Sequence, residues 1–105
     1  MNTETAAVVA SVSHFIRDDD LAHLQSYWHE WGGLVRVDWP EVWKRAFLAA
    51  CQREQLATAQ WLYQRYQEAP LGFRLGLRST VNYARAMARK AGGDSALLAW
   101  LVTLG

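Results

Sequence analysis

Ala46-Phe47-Leu48-Ala49-Ala50-Cys51-Gln52-Arg53-Glu54-Gln55-Leu56-Ala57-Thr58-Ala59-Gln60-Trp61-Leu62-Tyr63-Gln64-Arg65-Tyr66 decides the fold. Its first half carries small side chains at Ala46, Ala49, Ala50 and Cys51, and its second half carries large ones at Leu56, Trp61 and Leu62. In the second half Leu56, Ala59, Leu62, Tyr63 and Tyr66 recur at three- and four-residue steps, which is one face of an amphipathic helix. A helix with small residues lies close to its neighbours, and a second helix with large residues fills the layer behind it. The stretch therefore predicts a tight helix pair.

Working outward, breaks divide the chain into three such pairs. Gly32-Gly33 closes one segment, and Asp38-Trp39-Pro40-Glu41 opens the next: Asp38 can cap a helix, Glu41 three residues on suits a capping box, and Pro40 falls in the first turn, where no N–H is needed. Pro70, Gly72 and Gly76 predict a loop before a cap at Ser79, and Gly92-Gly93 precedes a cap at Asp94 or Ser95. The expected helices are 4–16 with 20–31, 40–52 with 55–67, and 80–90 with 95–104. Leu34-Val35-Arg36-Val37 is a brief strand-like exception.

The pairs resemble one another. Leu21-Ala22 falls over Leu56-Ala57 at a spacing of 35, and Trp61-Leu62 over Trp100-Leu101 at a spacing of 39. Repeats of this length predict an all-α chain built as a short solenoid of about three helix-turn-helix pairs, with units near 4–33, 38–69 and 79–105 in one domain; an irregular six-helix bundle is the alternative. A chain of 105 residues has room for one core, and 51% hydrophobic residues can fill it.

The run 46–63 is similar to the two-helix core of an ankyrin repeat of the divergent kind that ends in Trp-Leu-Tyr. Phe47 takes the place of the first core leucine, Ala50 and Cys51 that of the paired alanines, and Leu56 that of the leucine opening the second helix. The third unit resembles it through Met87-Ala88-Arg89-Lys90, Gly92-Gly93 and Ala99-Trp100-Leu101. The family's Thr-Pro-Leu-His entry is missing, Arg45-Ala46-Phe47-Leu48 standing there, and Glu54 replaces the turn glycine. The resemblance implies a binding scaffold rather than an enzyme, contacting its partner through loop tips and the face of the first helices. Asp38 leaves room for only a short finger loop. Here the contact residues would be Arg36, Trp39, Trp43, Lys44 and Arg74, and the activity would be to inhibit or scaffold a protein partner, as a compact viral or bacterial inhibitor does.

Charge offers a second reading. Residues 1–31 hold five acids against Arg17, a balance of −4, whereas residues 69–105 hold five cations against Asp94, a balance of +4. Arg74, Arg78, Arg85, Arg89 and Lys90 follow one another without an intervening acid and can form a stripe for nucleic acid or an acidic ligand. Net charge is only +1, which favours a solvated face instead.

Catalytic and cofactor chemistry find little support. Asp18-Asp19-Asp20 with His14 could bind a metal, but three acids before a helix suit its N-terminus and one can cap it. No metal and no cofactor is expected. Cys51 is the single cysteine, at a small apolar position, so no internal disulfide forms and a reducing, cytoplasmic setting is the expectation. No apolar run approaches the roughly 20 residues of a membrane span. The last helix, Ala96-Leu97-Leu98-Ala99-Trp100-Leu101-Val102, is apolar on every side, which predicts a cover: a second copy docking on Leu97, Trp100, Leu101 and Leu104, or a larger partner.

Overall fold

The computed structural model describes residues 2–68, 76–92 and 95–104, and all regular structure among them is helical. The helices are α1 (Thr3–Arg17), α2 (Leu21–Trp31), α3 (Trp39–Gln52), α4 (Leu56–Gln67), α5 (Leu77–Lys90) and α6 (Ala96–Thr103). Five of the six begin within one residue of the expected position. The exception is α5, which starts at Leu77 with Gly76 as its cap residue. Ser79 is already inside the helix, and the Thr80 hydroxyl donates back to the Gly76 carbonyl at 3.0 Å. Burial of Leu77 against the core outweighs the capping preference of serine.

Polar side chains start the other helices. Asn2 accepts from the Thr5 amide at 2.7 Å, Asp20 from His23 at 3.1 Å, Asp38 from Glu41 at 3.3 Å and Ser95 from Leu98 at 3.1 Å. Glu41 does not close a capping box: its carboxylate instead accepts from Arg45 at 2.7 Å. Asp20 sits below the usual carboxylate range because the His23 amide and ring donate to it.

The first two pairs are joined by the same turn. Asp19 has φ 54° and Glu54 φ 56°, the left-handed conformation that glycine adopts most easily, and Gly92 has φ 133° at the third turn. The Asp20 amide donates to the Phe15 carbonyl at 2.8 Å and the Gln55 amide to Ala50 at 2.9 Å, the six-residue closure of a Schellman motif. Amides of Asp19, Glu54 and Gly92 reach the carbonyls of Ile16, Cys51 and Arg89 in turn. The glycine missing from the sequence at Glu54 is thus missing only as a residue type; its backbone conformation is present.

Contacts run α1 to α3 and α3 to α5, and the second helices α2, α4 and α6 pack on α1, α3 and α5 respectively. Small residues sit where the first helices meet: Ala46, Ala50 and Ala84 are fully buried. Aromatic rings link the second helices, Trp28 meeting Trp61 edge-on at 5.8 Å and Tyr63 meeting Trp100 at 5.7 Å. The core is one cluster from Val8 to Leu101, centred on Trp43, Phe47, Leu62 and Tyr66.

The last helix corrects an expectation. The sequence places Leu97 and Leu101 on a docking face, but they are 2% and 0% exposed within this chain. What α6 shows outward is Ala96, Ala99 and half-exposed Val102, with Trp100 and Leu104 only partly covered. An apolar helix of eight residues here fills its own core with leucines and turns small residues out.

Candidate interaction surface

The end of α2 and the segment that follows it hold three of the five exposed large apolar side chains among the described residues. Trp31 is 42%, Leu34 38% and Val35 96% exposed, and Arg36 stands beside them with its side chain out in solvent. The backbone beneath is held firmly. The Trp39 indole N–H donates to the Leu34 carbonyl at 3.0 Å, the Asn2 amide donates to the Arg36 carbonyl at 2.8 Å, and the Asp38 N–H donates to the Thr5 hydroxyl at 2.9 Å. Arg36 also faces Glu4 at 3.6 Å, a weak exposed pair. Gly32 admits no larger residue, since a Cβ there would lie 2.5 Å from the Trp28 carbonyl oxygen.

The two tryptophans of α3 part company. Trp39 is half-buried against Trp28, ring centres 5.0 Å apart, and anchors the loop through its indole N–H. Trp43 is 2% exposed, stacks on Phe47 at 5.0 Å and donates to the Leu62 carbonyl at 2.6 Å. Trp43 is therefore a core residue and not a contact residue, which corrects the expectation drawn from its place near the loop. Four residues apart means about 40° round a helix, enough at a layer edge to separate rim from core.

Lys44 is exposed on α3 and lines a groove with Leu48, Ser79, Thr80 and Tyr83 between α3 and α5. Tyr83, 57% exposed, is the large residue at its edge. The expected loop contact Arg74 lies outside the described residues, as do most of the loop from Leu71 and the alternative cap Asp94.

The basic stripe is broken. Arg78, Arg89 and Lys90 are exposed, but the Arg85 guanidinium turns inward, donating to the Leu101 carbonyl at 2.9 Å and to Asn82 at 3.0 Å. There it meets the carbonyl end of α6, where a cation is favourable. Arg85 is a structural clasp between α5 and α6 and leaves the proposed nucleic-acid set.

Among the described residues no three metal-ligating side chains converge. Asp18 pairs with His14 at 3.2 Å, and Asp20 caps α2 and pairs with His23. Burial pushes the Cys51 thiol up to about 12, so it has little thiolate character at neutral pH. No helix among the described residues is long and apolar enough to cross a membrane.

The sequence places the expected surface on the loop from Leu34 to Trp43 without singling out Leu34 or Val35, and it misses Trp31 and Tyr83. The available signal was an apolar Leu34-Val35 next to Gly32-Gly33, a hydrophobic pair in a loop with no strand to join; Tyr83 had none, because its neighbours read as helix surface. Comparisons of the chain with known families, with curated proteins and with solved structures find no match.

Proposed function

We propose that the chain is an ankyrin-like stack of three helix pairs that acts as a protein-interaction module, binding a protein partner through the Trp31–Arg36 loop and the adjoining first-helix face. The contact order α1 to α3 to α5 and the two alike turns at Asp19 and Glu54 support the stacked reading over an irregular bundle. The observation that carries the function is the loop: Trp31, Leu34 and Val35 are kept at the surface by a backbone tied down at Leu34, Arg36 and Asp38. Fixed apolar residues beside an arginine make a contact surface whose ordering cost is met before binding. Trp39 supports that surface from below, and Lys44 with Tyr83 extends it along the groove. The mechanism is occupancy, by which a partner is inhibited or scaffolded, and the setting is the cytoplasm, where Cys51 stays a buried thiol.

A second reading, nucleic-acid binding, rests on exposed Arg78, Arg89 and Lys90 on α5. One capture experiment separates the two. The tagged chain is incubated with lysate, with and without nuclease treatment, beside its Val35→Asp and Arg89→Glu variants, each verified as folded by circular dichroism. The module reading predicts a protein retained by wild type and by Arg89→Glu and lost with Val35→Asp. Capture indifferent to Val35→Asp contradicts it, and capture that requires intact nucleic acid moves the function to α5.

A further inference from the structure

The two ends of the helix row differ in charge in a way the loop does not use. α5 packs on α3 through buried Thr80 and Ala84, with Met87 Sδ 3.9 Å from the Gln52 amide of α3. At about 100° per residue, Arg89 lies opposite Thr80, and Arg78 and Asn82 lie within about 20° of that direction. All three are exposed. The outer side of α5 is therefore a basic end face, and no acidic side chain pairs with Arg78 or Arg89 among the described residues.

At the opposite end, α1 is joined to the α3 side through Thr5, which accepts from Asp38, and Ile16, whose carbonyl accepts from Gln55. By the same angular count Thr3, Ala7 and His14 point away from that contact, all exposed. Asp18 stands at the end of this face, pairing with His14, and on α2 exposed Glu30 lies nearly opposite Trp28, the ring that meets α4. Arg17 donates to the His14 ring on this side at 2.8 Å, so the acidic character of this end rests on Asp18 and Glu30 against that one arginine.

We propose that these two faces bind each other between copies, so that the basic outer side of α5 in one chain docks on the acidic outer side of α1 and α2 in the next. Two features fit one occupant. The faces are opposite in charge, Arg78 and Arg89 against Asp18 and Glu30. The contact also continues the series already in the chain, in which each first helix lies beside the next. Because the two faces differ, the contact is heterologous and leaves a free end on each assembly, so growth is open-ended. It goes beyond the loop reading and uses none of the loop residues.

Sedimentation velocity tests it, with wild type followed from micromolar to millimolar concentration at low ionic strength and again near about 0.5 M salt, where screening falls to a few ångströms. Average mass is expected to rise past about twofold with concentration at low salt, without a plateau at the dimer, and to return to monomer at high salt. Asp18→Lys/Glu30→Lys and Arg78→Glu/Arg89→Glu should each stay monomeric with unchanged circular dichroism, and an equimolar mixture of the two should associate again. Val35→Asp should leave the association intact. Monomer at every concentration overturns the proposal, as does association that survives high salt or both charge reversals. Loss with Val35→Asp alone would place self-association on the loop and overturn it equally, whatever that variant does to partner capture.

Discussion

Trp39 and Trp43 start the same helix one turn apart, and the chain treats them oppositely. Trp43 faces α4 and is closed in by Phe47 and Tyr66, whereas Trp39 reaches back to Trp28 and the Leu34 carbonyl at the rim. The same contrast separates α3, enclosed between α1 and α5, from α6 at the end of the row. Position among the packed helices, more than hydrophobicity, decides which apolar side chain is structural and which is exposed.

Breaking that contrast gives the largest expected effect. Trp43→Ala should cost about 3–5 kcal/mol, enough to unfold much of a marginal domain, through the cavity and the lost indole hydrogen bond to the Leu62 carbonyl. Trp39→Ala should cost clearly less and loosen the loop. Chemical denaturation of both variants checks the order, and equal losses would mean that Trp39 is core as well. In α6, Leu101→Ala should cost about 2–4 kcal/mol, while Val102→Ser should stay within roughly 0.5 kcal/mol, measured the same way.

Cys51 sharpens the comparison from the chemical side. Burial holds its neutral form in the folded chain to about 12, against an ordinary value of 9.0. The unfolded thiol ionises first as pH rises, so its contribution is intact below pH 9 and is lost progressively between 9 and about 12. Thiol labelling at neutral pH should be far slower in native than in denatured chain; equal rates would show Cys51 at the surface. A small stabilising effect belongs to the turn. Glu54→Gly relieves a left-handed residue and should add about 0.5–1 kcal/mol, read as a raised denaturation midpoint.

Most of the helical layout was legible because it depends on local chemistry. Asp20, Asp38 and Ser95 act as caps through their own side chains, and Leu56, Leu62 and Tyr66 mark a buried face by spacing alone. The surface was less legible because exposure depends on what arrives from elsewhere in the chain. Arg85 looked like part of a solvent stripe until the end of α6 came within reach, and Leu97 and Leu101 looked uncovered until α5 was placed against them. Val35, a β-branched apolar residue, stands in solvent because the tethers at Leu34, Arg36 and Asp38 hold the loop there.

The order of the pairs is the central claim, and nuclear Overhauser contacts between aromatic rings test it most directly. A row of stacked pairs predicts cross-peaks between Trp28 and Trp61 and between Tyr63 and Trp100, with the first and third pairs showing none to each other. Cross-peaks joining Trp28 to Trp100, or α1 to α6, would close the helices into a bundle and contradict the account.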